Sequence, residues 1–184
     1  MRQHPARLGL ALYAGTVLTS LAVPLAQNRT AVPNRVPTFR VDPFWPKQLP
    51  NRWIIGAVAG VTVDRRDHVW ITHRPSTLQP NETRSIWKAA PPVLEFDADG
   101  TLVSSWGGPS AGYDWPQLEH GIYVDERDNV WLGAGGEKDA HILKFPRDGR
   151  FLLQIGRPGQ GRGSNDTANL GAPANMVVDR AANE

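Results

Sequence analysis

The chain has 184 residues, enough for one domain of ordinary size with a real hydrophobic core. Its 20 basic and 18 acidic residues become balanced once the two arginines of the leader are set aside, so charge gives no reason to expect nucleic acid or an anionic membrane surface as a partner. The absence of cysteine excludes disulfides and thiolate metal sites, and leaves histidine, carboxylate or backbone oxygen to hold any metal.

The N-terminal segment, residues 1–26, predicts a secretory signal peptide. Arg2 and Arg7 precede an apolar run that ends at Ala26, and small residues occupy the end of that run. Cleavage is expected after Ala22 or Ala26, which would release the protein into the periplasm or the extracellular space, free of the membrane. An uncleaved anchor is the alternative, because the run is just long enough to span a bilayer.

Residues 27–51 form a Pro-rich, irregular lead-in, and residues 52–184 hold the folded domain. Three aromatic residues of the lead-in, Phe39, Phe44 and Trp45, are expected to lie on the surface of the domain or to fill a gap in it.

Short strand–turn–strand units make up the domain. The first set combines GVTVD–RRD–HVWIT, which ends at Thr72, with VLEF–DADG–TLVSSW, in which Asp-x-Asp-Gly is a turn signal. The second set combines GIYVD–ERD–NVWLG with HILKFPRDGRFLLQIG, which ends at Gly156. A third copy opens as NMVVD from Asn175.

The recurring aspartates of these copies, Asp64, Asp125 and Asp179, are 61 and 54 residues apart. Four short strands at such a period are typical of β-propeller blades, whereas a β-sandwich needs similar strands without the copying. We therefore predict an all-β, partial propeller of about two and a half blades. Because a propeller usually closes with at least four blades, the sequence is expected to be a fragment or a truncated product with an exposed blade edge.

Two residue types recur with the repeat and are expected to be structural. The aspartates should brace the turn that follows each inner strand. Trp70 and Trp131 should pack between neighbouring blades.

The hairpin patterns G-[IV]-x-V-D-x-x-x-x-V-W-[IL] and [IV]-L-x-F-x-x-D-G-x-[FL] resemble NHL-type propeller repeats. The segments GVTVDRRDHVWITHRP and LEHGIYVDERDNVWL are similar to the first two blades of the peptidyl-α-hydroxyglycine α-amidating lyases. The wider arrangement of WPKQLPNRW, WGGP and GYDWP is similar to bacterial exported propeller proteins grouped with that family. The resemblance implies six blades in the complete protein.

The lyase resemblance also implies a zinc ion held by three histidines at one mouth of the central channel, and a calcium ion held by backbone carbonyls. By position, His120 is the first zinc ligand, Arg74 is a catalytic residue, and Val61 and Ile122 supply the calcium carbonyls. Glu119 stands where the family often has proline. The other two histidines and a tyrosine belong to later blades outside this sequence.

His120 is also conspicuous without the resemblance, because the first copy of the repeat has Ala59 at that position. A neutral imidazole is a good zinc ligand, and a zinc ion can polarise a substrate hydroxyl or carboxylate. A hydrogen bond from the ring to a neighbouring strand is the structural alternative. Arg74 offers a planar fork for a carboxylate, or is an ordinary solvated charge. His68 and His141 are not expected to bind metal.

The lyase resemblance implies cleavage of a peptidyl-α-hydroxyglycine to a peptide amide and glyoxylate, a carbon–nitrogen lyase reaction, when the protein is full length. This sequence alone is expected to be inactive. The alternative is a non-catalytic NHL propeller that binds a peptide, a carbohydrate or a protein partner. The sequence does not determine the oligomeric state.

Overall fold

The computed structural model describes residues 36–84 and 86–179, so the expected signal peptide lies outside the described residues. The chain divides into two units, Met1–Arg40 and Val41–Glu184. The described part of the first unit, residues 36–40, is exposed and has no regular secondary structure. No helix in the described ranges is long and apolar enough to cross a membrane.

The second unit is built of short strands with two single-turn 3₁₀ helices, Pro50–Arg52 and Pro75–Thr77. Within the described residues the strands are β1 Trp53–Ile54, β2 Ala57–Val63, β3 Val69–Arg74, β4 Lys88–Ala89, β5 Val93–Phe96, β6 Leu102–Trp106, β7 Glu119–Val124, β8 Asn129–Ala134, β9 His141–Pro146 and β10 Leu153–Gly156.

Eight of these strands form two antiparallel sheets of four. Blade 1 has the order β2-β3-β5-β6, and blade 2 has the order β7-β8-β9-β10, so each sheet runs from its inner to its outer strand in chain order. Strands β1 and β4 pair in parallel as a separate two-stranded ladder. The predicted all-β, partial propeller is confirmed, as are its four hairpins.

Asp64 and Asp125 brace the inner turns of blades 1 and 2 as predicted, whereas the turn after Asp179 lies outside the described residues. Asp64 Oδ1 accepts hydrogen bonds from the backbone N–H groups of Arg66 at 2.8 Å and His68 at 3.1 Å, and Asp64 Oδ2 accepts from Trp70 Nε1 at 3.0 Å. Asp125 accepts the corresponding three bonds in blade 2. The same carboxylate thus fixes both the turn and the indole of the following strand.

The main hydrophobic core lies between the two blades. Trp70 is fully buried there, as predicted. Its neighbours in this core come from both sheets: Val93, Ile122, Val124, Val130, Leu132, Leu143 and Phe145. Trp131 occupies the equivalent position in blade 2 but is only half-buried, because no further sheet covers it within the described residues. Interior packing of this kind is what holds blade 2 against blade 1.

The other face of blade 1 is covered by the end of the lead-in and by the segment that follows it. Trp45, Leu49, Trp53 and Ile55 pack against a second core of Ile71, Ala90, Leu94 and Phe96. Of the three aromatic residues expected on the surface or in a gap, Trp45 packs against Phe96 with ring centroids 5.7 Å apart, whereas Phe39 and Phe44 are exposed.

Two glycines allow neighbouring inner segments to approach closely. A Cβ on Gly60 would lie 2.5 Å from the carbonyl oxygen of His120, and a Cβ on Gly121 would lie 2.4 Å from that of Ala174. The contact between β2 and β7 is therefore repeated between β7 and the segment after blade 2. Residues 175–179 nevertheless form no strand, because none of the described residues pairs with them in a ladder.

Candidate active site

The candidate site begins with an irregularity in β7. Between Glu119 and Ile122, β7 has one more residue than the strand opposite it, and β2 has the corresponding irregularity between Val58 and Gly60. Such β-bulges redirect a side chain and are frequent next to active sites. The bulge of β7 contains His120, the residue at which the repeat changes from alanine to histidine.

His120 is half-buried and its ring lies against the end of β8. A methyl group on Gly135 would lie 2.8 Å from Cδ2 of His120, so the imidazole uses the space that this glycine leaves open. No described residue within 36–84 or 86–179 makes a hydrogen bond to either ring nitrogen. The structural alternative of a ring bonded to a neighbouring strand therefore finds no support in this part of the chain.

Arg74 joins the two blades at the same place. It is the last residue of β3 in blade 1, and its Nε donates a 2.8 Å hydrogen bond to the backbone carbonyl of Glu119 in blade 2. Its two Nη atoms have no partner among the described residues. The structure thus brings Arg74 to the residue next to His120, and the guanidinium is anchored rather than freely solvated.

Glu119 is held by its side chain as well as by its carbonyl. Its carboxylate is buried, and Oε1 accepts a 2.8 Å hydrogen bond from Trp115 Nε1. Glu119 stands where the resembled family often has proline, and its bond with Trp115 fixes the start of β7. Sequence reasoning missed the pair because Trp115 lies outside the repeated pattern.

Asp139 organises the loops on which His120 rests. Its buried carboxylate accepts backbone hydrogen bonds from Gln117 at 2.9 Å, Leu118 at 3.0 Å and Gly136 at 2.8 Å. These bonds tie the approach to β7 to the loop that follows β8. Sequence analysis did not single out Asp139, since it has no counterpart at that position of the first copy.

No protein-family model matches the sequence. Over 143 residues the chain is 31% identical to peptidyl-alpha-hydroxyglycine alpha-amidating lyase 1 of Drosophila melanogaster. The chain is similar to an amidating lyase. The match covers 68% of this chain and 24% of the fly protein, so the chain spans about a quarter of the length of that curated relative. The similarity supports a related propeller family and agrees with the resemblance in the repeat motifs.

His73 is a structural neighbour of Arg74 rather than a candidate ligand. The ring is fully buried, Nδ1 accepts from the backbone N–H of Gly56 at 3.2 Å, and Nε2 donates to the Pro91 carbonyl at 3.0 Å. Burial lowers the pKa of His73, although backbone contacts with Pro91 and Ala90 oppose the change. Both nitrogens are occupied, so the neutral ring fixes the end of β3.

The two residues assigned to calcium, Val61 and Ile122, lie at equivalent positions of neighbouring inner strands. The side chain of Val61 is 64% exposed and that of Ile122 is 4% exposed. Their placement on β2 and β7 is established, whereas a calcium ion on their carbonyls stays a prediction.

A second group of metal-ligating residue types lies away from this site. Ligand atoms of Asp64, His68 and Glu95 all lie within 4.8 Å of one another. Arg147, however, donates to Asp64 Oδ2 at 2.6 Å and pairs with Glu95, so a guanidinium already supplies the positive charge there. Burial alone would raise the pKa of Asp64, but hydrogen bonds from Trp70, Arg147 and two backbone N–H groups outweigh it and lower the pKa to about 2. We interpret this group as an ion-pair network between the blades.

Proposed function

We propose that the chain supplies part of the channel mouth of an amidating-lyase-type enzyme, which cleaves a peptidyl-α-hydroxyglycine to a peptide amide and glyoxylate. The observation that carries the proposal is the meeting of Arg74 and the Glu119–His120 step, which come from two blades. The similarity to the fly lyase supports the same class of reaction.

Arg74 is suited to bind the carboxylate of the substrate's C-terminal α-hydroxyglycine. Its Nε is fixed by the Glu119 carbonyl, so the guanidinium plane is oriented before any substrate arrives. The two Nη atoms are left to make the paired hydrogen bonds that a planar carboxylate accepts best. Pre-orientation lowers the entropy lost when the carboxylate binds.

His120 is suited to be one zinc ligand, because its half-buried imidazole has no hydrogen-bond partner in the described part of the chain. Zinc bound there would supply Lewis-acid polarisation of the substrate. No group of three ligands that includes His120 is found within residues 36–84 and 86–179. The described residues therefore do not complete a three-ligand site around His120, and at least one further ligand would come from outside them.

The proposal also covers the calcium site and the location of the protein. Calcium on the carbonyls of Val61 and Ile122 would tie together the inner strands of the two blades, which their equivalent positions on β2 and β7 support. Export to the periplasm or the extracellular space, and a small peptide-like substrate, complete the proposal.

Binding to the 184-residue chain tests the proposal. We expect a peptide ending in a stable α-hydroxyglycine analogue to bind the wild type, and its decarboxylated counterpart to bind at least tenfold more weakly, because only the former meets the Arg74 fork. Arg74→Ala should remove the difference. Arg150→Ala, at an exposed arginine of the β9–β10 turn, is the matched control and should retain it.

A zinc titration that is monitored through the imidazole NMR signals tests whether His120 binds zinc. We expect millimolar zinc to shift His120 first, and the shift to disappear in His120→Ala, while the wild-type chain alone releases no glyoxylate. Shifts confined to His68, together with equal binding of the two peptides, would contradict the proposed function.

A further inference from the structure

Blade 2 has a glycine at the strand end where blade 1 has Arg74. Arg74 and Gly135 each lie ten positions after the recurring aspartate of their copy. The backbone pairing agrees with this alignment, because Arg74 pairs with Ala57 across β2 and β3. In blade 2, the N–H of Gly135 donates at 2.9 Å to the carbonyl of Leu118, the residue that aligns with Ala57. Arg74 and Gly135 are therefore equivalent positions of the two blades.

The bulge of the inner strand, which lies beside this position, shows the reverse difference. Blade 1 has Ala59 in its bulge, and blade 2 has His120. In blade 1, the small side chain lies on the inner strand and the long one at the end of the next strand. In blade 2, the long side chain is on the inner strand, and the strand end has none. The long side chain has thus changed strands between the two copies.

The two positions lie very close together in blade 2. A Cβ on Gly135 would lie 2.8 Å from Cδ2 of His120 and 3.4 Å from both its Cβ and its Cγ. In an ordinary antiparallel pair, the Cβ atoms of opposed residues are about 4.5–5.5 Å apart. The three nearest atoms all belong to His120, so a side chain at position 135 would have to displace the imidazole.

The backbone does not itself require glycine at position 135. The φ angle of Gly135 is not in the left-handed region, so the conformation is open to other residues. The segment is also not a free hinge, because the N–H of Gly135 is bonded to Leu118 and the N–H of Gly136 donates to Asp139 at 2.8 Å. The neighbouring ring of His120 therefore explains why this residue has no side chain.

The two equivalent positions both act on His120, but from different blades. Arg74 reaches across from blade 1, and its Nε donates at 2.8 Å to the carbonyl of Glu119, which belongs to the peptide group that leads into His120. Gly135 lies in the same sheet as His120 and leaves the space in which the ring rests. The first contact fixes the backbone of His120, and the second fixes its side chain.

The contact through Cδ2 also orients the imidazole. The Nδ1–Cε1 bond lies opposite Cδ2 in the ring, so this edge points away from Gly135. Neither ring nitrogen has a hydrogen-bond partner within residues 36–84 and 86–179. A ring that rests on its neighbour through carbon keeps its nitrogens available, which is the state that a metal ligand needs.

We propose that Gly135 is a positioning residue for His120, because the missing side chain at this strand end selects the rotamer in which the imidazole nitrogens stay available. The inference rests on the proposed function only in what the ring then binds, a zinc ion. A ligand that is held in its binding rotamer has a higher apparent affinity, because no population is lost to other rotamers. The exchange between strand end and bulge also leaves each blade with one long side chain at this junction.

A double-mutant cycle in urea unfolding tests the contact between the two positions. The chains compared are wild type, Gly135→Arg, His120→Ala and the double variant, which gives blade 2 the alanine and arginine of blade 1. We expect Gly135→Arg to raise the equilibrium constant for unfolding on the order of tenfold in the presence of His120, and by less than about threefold in the His120→Ala background. Equal effects in the two backgrounds would overturn the proposal.

Gly135→Ala tests the orientation of the ring with a smaller change. The three-bond Hα–Hβ couplings of His120 should report one χ1 rotamer in wild type and a different or averaged one in the variant. The apparent zinc affinity in the NMR titration should fall by about threefold or more. Gly133→Ala is the matched control, because its new Cβ would meet the Pro173 carbonyl oxygen at 2.5 Å instead of His120. It should lower stability without changing the couplings or the zinc affinity.

The outcomes separate this inference from the proposed function. Unchanged His120 couplings in Gly135→Ala, or an equal change in Gly133→Ala, would overturn the positioning role. Couplings that change as expected, together with zinc that fails to shift His120 in wild type, would support the positioning role and contradict the proposed zinc ligand.

Discussion

Acid should weaken the contact between the blades mainly through Asp64. The pKa of this group falls from an ordinary 3.8 to about 2 in the folded chain. A lowered pKa means that the unfolded chain binds the proton more tightly, so the stabilisation is present above pH 3.8 and is lost as the pH falls through 2. The linkage amounts to about 2 kcal/mol at pH 7 and to well under about 1 kcal/mol at pH 2.

The corresponding experiment compares Asp64→Asn with wild type by urea unfolding, followed by tryptophan fluorescence, at several pH values between 7 and 2. We expect the variant to be less stable at neutral pH, and the difference to shrink by about 2 kcal/mol toward pH 2. Asp125→Asn is the matched control, because no arginine side chain within residues 36–84 and 86–179 pairs with Asp125, and its difference should change less. A difference for Asp64→Asn that is constant with pH would refute the reasoning.

Three further predictions concern the site and the contact between the blades. The pKa of His73 is lowered in the folded chain, so its contribution to the free energy of unfolding is present above pH 6.5 and declines as the pH falls below that value. His73→Gln should therefore flatten the dependence of stability on pH between pH 7.5 and 5.5, and an unchanged dependence would contradict this. Gly121→Ala should cost about 1–3 kcal/mol, because the new Cβ meets a backbone oxygen, whereas Gly171→Ala, which meets nothing within 4 Å, should be nearly neutral in the same thermal melts. Trp70→Ala should cost about 3–5 kcal/mol in urea unfolding and half-buried Trp131→Ala clearly less, and equal losses would contradict the unequal burial.

The sequence alone was sufficient to predict the features that occur in both copies of the repeat. The hairpins, their Asp-braced turns and the burial of Trp70 follow from local patterns of alternating apolar residues and turn formers, and those patterns occur twice. Comparison of the copies also identified His120, because a single polar substitution in an apolar repeat is visible without a structure. The same comparison of the copies predicted a strand in NMVVD after Asn175, but residues 175–179 form none among the described residues. A strand also needs a neighbour to complete its hydrogen bonds.

The contacts that orient the candidate site could not be predicted from local patterns. The bond from Arg74 to the Glu119 carbonyl joins residues 45 positions apart, and the bond from Trp115 to Glu119 depends on a residue outside the repeat. Asp139 accepts hydrogen bonds from three backbone N–H groups, and because nearly every residue type has such a group, the sequence gives no sign of these bonds. The Arg147 contact with Asp64 is visible only once the register of two separate sheets is known.

A crystal structure of the protein soaked with zinc and a carboxylate-bearing α-hydroxyglycine analogue would show whether Arg74 and His120, from different blades, serve one site. We expect the carboxylate on the Nη atoms of Arg74 and zinc on a ring nitrogen of His120. Zinc at Asp64, His68 and Glu95 with Arg147 displaced, and the analogue away from Arg74, would contradict it.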